Sequence, residues 1–113
     1  MTKIEFSEIN EKIVKFLIKG HTNNSEYGTD IVCASISATS IMTLNALIEI
    51  LDVKDMEYEM KDGYMLCDLS NSSDEDLVKS QDFLKSFKLF SEQIADYYRK
   101  NVQFKVWRYG KWY

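Results

Sequence analysis

The sequence predicts an α+β fold, with two helices packed on a mostly antiparallel sheet in the order β-β-α-β-β-α-β. Short stretches in which apolar and polar residues alternate, as in strands, occur at the start, the middle and the end of the chain. Two longer stretches with helical spacing separate them. With 113 residues, 45% of them hydrophobic, the chain is long enough for one core, so we expect residues 1–113 to form a single domain.

The first two strands are predicted in KIEFSE and EKIVKFLIKG, with a hairpin at the short polar stretch SEIN. In the second strand Val14, Phe16 and Ile18 share one face, while Lys15 and Lys19 share the other. A polar loop from about residue 21 to residue 29 then leads to the first helix.

The first helix is predicted from about Asp30 to Leu51, because apolar and small residues recur there at helical spacing. Thr29 or Asp30 can cap its first turn. Residues 31–48 carry no charge, but six Ser, Thr and Asn residues interrupt the apolar run and acidic residues flank it, so a buried helix is favoured over a membrane span. Since its other faces are also uncharged, a second subunit could cover part of it. The stripe at helical spacing comprises Cys33, Ser37, Ile41, Leu44, Ile48 and Leu51.

The next segment predicts a hairpin, since Met56, Tyr58 and Met60 alternate with glutamates and Asp62-Gly63 is a strong two-residue turn signal. Its second strand contains Cys67, which we expect to be a packing residue without chemistry.

The second helix is predicted to open at NSSDEDL, where Ser72 and Glu75 have capping-box spacing. Apolar residues on one of its faces are expected to be core. VQFKVWRY then forms the last strand. The expected core residues of the second helix are Phe83, Phe87, Phe90, Ile94 and Tyr97.

The net charge and the cysteine content limit which classes of function are expected for this protein. The net charge of −4 disfavours direct nucleic-acid binding, although the aromatic tail WRYGKWY could stack on bases, form a partner patch or complete the core. One histidine and two distant cysteines do not make a ligand set, so no metal and no cofactor are expected. The charged N-terminal stretch lacks the apolar run of a signal peptide, which predicts a cytoplasmic protein with reduced thiols.

Two residues around the polar loop have the chemistry of a cysteine nucleophile and its base. Cys33 is expected in the first turn of a helix, where free amides and the helix dipole favour a thiolate. His21 is the only imidazole in the chain. Asp30 could orient that imidazole or cap the helix, and spacing favours the cap. On spacing alone, the simpler interpretation of a buried thiol and a solvated histidine is favoured.

The full run of residues adds a family resemblance. Gly20-His21-Thr22, a short loop, and then the run from Gly28 through Cys33 to Ala34, followed by Ser37-Ala38, are similar to the signature of the ribosomal-processing cysteine proteases, the Prp family. That signature has Gly-His-Ala, a loop, and Gly-x-Asp-Ile-Val-Cys-Ala-x-x-Ser-Ala. Thr22 departs from it, since alanine is usual there, but no reacting group is lost.

The resemblance implies a homodimeric cytoplasmic endopeptidase with a Cys/His dyad, in which Cys33 is the nucleophile and His21 the general base. Its expected substrate is the N-terminal peptide of a large-subunit ribosomal protein, number twenty-seven, cut after an apolar and aromatic stretch. Gly20, Gly28 and Ser37 are candidate supporting residues, and the glycines could let the loop close over a bound peptide. The alternatives are a non-catalytic ribosome-assembly binding protein with the same fold and a redox-sensing cysteine, the latter disfavoured because no resolving cysteine is near in sequence.

Overall fold

The computed structural model describes residues 1–20 and 29–110 and confirms the predicted element order. The five strands form one sheet in the spatial order β3-β4-β2-β1-β5. β5 runs parallel to β1 and every other neighbouring pair is antiparallel, so the sheet is mixed but mostly antiparallel, as predicted. The elements are β1 (Thr2–Ile9), β2 (Lys12–Lys19), α1 (Thr29–Asn45), a π-helical turn (Ala46–Ile50), β3 (Glu57–Lys61), β4 (Tyr64–Asp68), α2 (Asp74–Tyr97) and β5 (Val102–Tyr109).

The core lies on one face of the sheet, beneath the two helices, and four phenylalanines join its parts. The ring centroid of Phe6 on β1 lies 5.9 Å from that of Phe16, 5.5 Å from that of Phe87 and 5.9 Å from that of Phe104. These tilted contacts connect three strands to α2 and are typical of packed aromatic rings. Val14, Phe16 and Ile18 are all buried, which confirms the face predicted for the second strand.

A bulge between β1 and β2 is stabilised from α2 by one side chain. The register between these strands shifts after Ser7, and the backbone of Ile13 is buried there. The side-chain amide of Gln81 accepts a hydrogen bond from the Ile13 N–H and donates one to the Ile13 carbonyl, both at 2.8 Å. Because unpaired buried backbone groups are costly, this pair of bonds fixes α2 against the sheet at this point.

The first hairpin turns slightly later than the sequence predicted. β1 continues through Ile9, so most of the stretch SEIN is strand, and the turn is formed by Asn10 and Glu11. Both residues have positive φ, 52° and 70°, which matches the twist that a two-residue hairpin turn needs. The second hairpin turns at Asp62-Gly63, as predicted.

The hydroxyl groups of α1 are largely bonded within the helix. Ser35, Thr39 and Thr43 each donate to the carbonyl four residues earlier, at 2.6–2.8 Å. These bonds explain how a helix with so many polar residues can pack against a core. The segment Ile31–Ile50 is long and apolar enough to cross a membrane by length and composition, but a core helix passes the same test. Four of its residues, Val32, Ile36, Leu44 and Leu47, are in the core.

The second helix differs from the prediction in its N-cap and in its buried face. Its N-cap is Ser73, whose hydroxyl accepts the Asp76 N–H at 3.1 Å, whereas the Ser72 hydroxyl donates to the Lys54 carbonyl. The cap is therefore one residue later than the predicted Ser72–Glu75 box. Asp76 also accepts the Lys54 N–H, and this bond, with one from Lys79, holds the pKa of Asp76 below its ordinary value.

The predicted core stripe of α2 is wrong at both of its ends. Phe83 is 37% exposed and Tyr97 is 84% exposed, although Phe87 is buried as predicted. The buried side of the helix instead combines small and polar residues with Leu84 and Phe87, and one of them, Gln81, bonds to the backbone of Ile13 at the bulge. The small and polar residues are Asp76, Ser80, Gln81, Ser91 and Ala95.

We predict that Gln81→Ala lowers the free energy of unfolding by about 2–4 kcal/mol, because it leaves two buried backbone groups of Ile13 unpaired. Urea denaturation monitored by circular dichroism measures the change. The control is Gln93→Ala on the same helix, where the side chain is exposed and a change within about 0.5 kcal/mol is expected. Equal effects of the two substitutions would contradict the role assigned to Gln81.

A second prediction concerns Cys67, which is fully buried as the sequence predicted. Burial raises the pKa of its thiol from 9.0 to about 12, and the Asp68 carboxylate adds to the effect. The unfolded chain therefore loses the proton first, and stability that is complete below pH 9.0 decreases as the pH rises toward about 12.

Replacement by alanine removes this dependence, so the loss of stability between pH 9.0 and 11 should be less steep in Cys67→Ala, by at most about 1.4 kcal/mol per pH unit. Urea unfolding of both proteins across that range measures it. Parallel curves for the wild type and the variant would show that Cys67 does not carry the effect.

Candidate active site

A cleft of about 280 Å³ lies between α1 and the hairpin of β3 and β4, and Cys33 is on its wall. The helix contributes residues one turn apart, and the strands supply an apolar floor. The lining residues from α1 are Cys33, Ile36, Ser37, Ser40 and Ile41. Those from the strands and their ends are Thr2, Ile18, Gly20, Met60, Met65 and the turn residues 61–64.

Cys33 is the fifth residue of α1, because the helix begins at Thr29, one residue before the predicted start. Its side chain is half-buried, and it is not joined to Cys67 by a disulfide. Cys33 therefore lies at the start of the second helical turn, whereas the sequence predicted it in the first turn.

Gly20 is the last described residue before His21, and its backbone lies in the same cleft. Its N–H donates to the Gly63 carbonyl at 2.9 Å. Its φ is +97°, and a Cβ at this position would overlap the carbonyl oxygen of Met1. Only glycine fits here, so the chain leaves β2 in one defined position at the cleft.

The other predicted site residues are placed as follows. Ser37 is exposed on the cleft wall one helical turn after Cys33. Asp30 is the second residue of α1, and its orienting or capping role stays a prediction. His21 and Gly28 lie outside the described residues, as does the loop between them, so the dyad and the loop closure also stay predictions.

Thr2 is a cleft residue that sequence reasoning missed. It is 3% exposed, and its hydroxyl is buried without a hydrogen-bond partner in the described part of the structure. Such a hydroxyl is an unusual feature, since most buried polar groups are bonded. No motif marks it, because only the pairing of β1 with β2 brings the first strand to Gly20.

The charged residues that line the cleft, Lys61 and Asp62, belong to the β3–β4 hairpin. The Lys61 ammonium is 3.1 Å from the Glu59 carboxylate and 5.0 Å from the centroid of the Tyr64 ring. Across residues 1–20 and 29–110, no three His, Cys, Asp or Glu side chains come together as a metal site would require. A thiol on the wall of a cleft with an apolar floor suits covalent attack on a carbonyl group.

Comparisons with known proteins agree with this chemistry. A sequence model of the cysteine protease Prp family matches residues 1–103. A ribosomal processing cysteine protease Prp of Staphylococcus aureus is 29% identical over 94 residues, which are 81% of this chain and 89% of that protein. These matches extend well beyond the signature around Cys33.

Solved structures show the same fold. The crystal structure of SMU.848 from Streptococcus mutans superposes with a TM-score of 0.83 and 29% identity, over 96% of each chain. A Prp protease from S. aureus, crystallised with a substrate peptide, has a TM-score of 0.77 and 24% identity, over 94% of this chain and 99% of that one. Because the family match spans nearly the whole chain, this protein belongs to the cysteine protease Prp family.

Proposed function

We propose that this chain is an endopeptidase in which Cys33 is the nucleophile and His21 the general base. The observation that carries the proposal is that one cleft contains both the Cys33 side chain and Gly20, the residue before His21. The helix and the end of β2 thus bring two distant parts of the sequence to the same place. Membership of a cysteine protease family supports the same chemistry.

In the proposed reaction, His21 takes the proton of the Cys33 thiol, and the sulfur attacks the scissile carbonyl carbon. Backbone amides of the first turn of α1 stabilise the negative oxygen of the tetrahedral intermediate. His21 then delivers the proton to the leaving amine, the C–N bond breaks, and a thioester remains on Cys33. Water, activated by the same imidazole, hydrolyses the thioester and restores the thiol.

The proposed substrate is the N-terminal extension of large-subunit ribosomal protein twenty-seven, removed in the cytoplasm during ribosome maturation. The name of the S. aureus relative, a ribosomal processing protease, supports it. S. aureus Prp has also been crystallised with a substrate peptide and with a covalently linked product peptide. Ile18, Met65 and Met60 give the cleft apolar surfaces that suit an apolar stretch of peptide.

The proposal predicts that Cys33→Ala abolishes cleavage of a peptide that spans the junction of the ribosomal extension, because the thioester of the proposed reaction forms on this sulfur. Cleavage is followed by chromatography. Cys67→Ala removes the other thiol and should retain activity under conditions in which it is folded. Cleavage by Cys33→Ala at the wild-type rate would overturn the assignment. His21→Ala is expected to lose at least about 100-fold in kcat/KM.

A further prediction concerns Gly20. Gly20→Ala should reduce kcat/KM by about 100-fold, because the new Cβ would overlap the Met1 carbonyl and displace the chain just before His21. Peptide cleavage and circular dichroism are measured together, so that activity is compared at equal folded fraction. The matched control is Lys19→Ala, whose side chain is exposed and whose activity should not change. Full activity in Gly20→Ala would show that the junction does not position the base.

The proposal includes a homodimer that covers the uncharged outer side of α1. Ile31 and Met42 on α1 are 50% and 67% exposed, Ile50 on the following π-helical turn is 72% exposed, and α1 carries no charge after Asp30. Exposed large apolar residues along a helical segment are typical of a covered surface. Sedimentation equilibrium should give twice the chain mass for the wild type and a shift toward monomer for Met42→Glu. A wild-type monomer at micromolar concentration would contradict it.

A further inference from the structure

The hairpin strand β3 forms one edge of the sheet beside the Cys33 cleft. Among residues 1–20 and 29–110 it pairs with β4 on one side only, and all five of its residues are exposed. An edge strand offers unpaired backbone donors and acceptors that another extended chain can use.

The register of the β3–β4 hairpin determines which backbone groups of β3 point away from β4. Lys61 pairs with Tyr64 across a two-residue turn, a position at which the two residues must exchange both backbone hydrogen bonds. Bonded and non-bonded pairs alternate along an antiparallel ladder, so Glu59 and Glu57 also direct their backbone groups toward β4. Tyr58 and Met60 therefore direct their N–H and C=O groups toward the open edge.

The same two residues have their side chains on the face of the sheet that contains the cleft. Met60 lines the cleft together with Cys33, and Tyr58 lies two residues earlier on the same face of the strand. Both side chains are 53% exposed. The open backbone groups and the cleft that holds the thiol are thus continuous along one strand.

We propose that the substrate peptide binds as an added strand on the outer edge of β3, with hydrogen bonds to the backbone of Tyr58 and Met60. This inference rests on the proposed protease function and identifies how the peptide is held. Because residues of an extended peptide alternate between two faces, every second side chain enters the cleft toward Cys33. The others lie over the opposite face of the sheet.

The two faces of β3 predict different preferences at alternate peptide positions. The cleft face has Tyr58 and Met60, with Ile41 across from them on α1, so apolar side chains are favoured there. The opposite face has Glu57 and Glu59, with the Lys61 charge paired to Glu59. A net negative charge remains on that face, so it favours basic or neutral side chains over acidic ones.

The first test measures binding, so that its outcome does not depend on catalysis. A fluorescein-labelled peptide spanning the junction of the ribosomal extension is titrated with Cys33→Ala, which is expected to hold it uncut. A series of peptides, each N-methylated at one position, is then compared by anisotropy. Methylation at every second position should weaken binding by about tenfold, and methylation between these positions by less than about twofold.

Equal weakening at consecutive positions, or no binding of the unmethylated peptide, would overturn the added-strand proposal. Failure of the proposed protease function gives a different result: the unmethylated peptide would bind with the alternating pattern, and the wild type would leave it uncut. The two failures are therefore distinguishable.

The second test changes the strand itself. Tyr58→Pro removes the outward N–H but no bond to β4, a position at which an edge strand tolerates proline. Tyr58→Ala is the matched control, since it removes the same ring and keeps the N–H. Binding should be at least about fivefold weaker in Tyr58→Pro than in Tyr58→Ala at equal thermal stability. Equal affinities would show that the edge of β3 is exposed to solvent and does not bind the peptide. A change in sedimentation without a change in peptide affinity would show that the edge contacts a second copy of the chain.

Discussion

The cleft depends on the close backbone contact around Gly20. Here the end of β2 donates a hydrogen bond to the Gly63 carbonyl of the β3–β4 turn and lies against the carbonyl of Met1. A side chain at this position would overlap the Met1 carbonyl, and the φ of +97° is itself one that side chains rarely adopt, so two independent constraints require glycine. The contact holds three backbone segments together at the cleft.

The opposite wall of the cleft is fixed by different forces. α1 is held through Val32, Ile36 and Leu47, which are buried in the core, while its hydroxyls are bonded within the helix. α2 is held by the phenylalanine contacts and by the two hydrogen bonds of Gln81. Thus the hydrogen bonds of Gln81 and an aromatic cluster support the helix layer that carries Cys33.

Local patterns in the sequence predicted much of this fold. The features that were missed depend on residues that are close in space but distant in sequence. Alternation and turn residues were enough for every strand, and the signature around Cys33 was enough for the family, because both are short-range patterns. The face of α2 was predicted incorrectly at Phe83 and Tyr97, since the buried side includes Gln81, a polar residue whose partner on β2 is distant in sequence. Thr2 was missed, and the open edge of β3 could not be seen, because strand order is decided by packing across the whole sheet.

The proposed activity is cleavage of a ribosomal N-terminal extension at one bond through Cys33. The most direct measurement is to incubate the wild-type chain with the extended ribosomal protein and to determine the masses of the products. We expect one shortened protein and one released peptide whose masses sum to that of the substrate plus one water, with no products from Cys33→Ala. An intact substrate that stays bound to the wild-type chain would contradict it and would identify a binding protein with the fold of a protease.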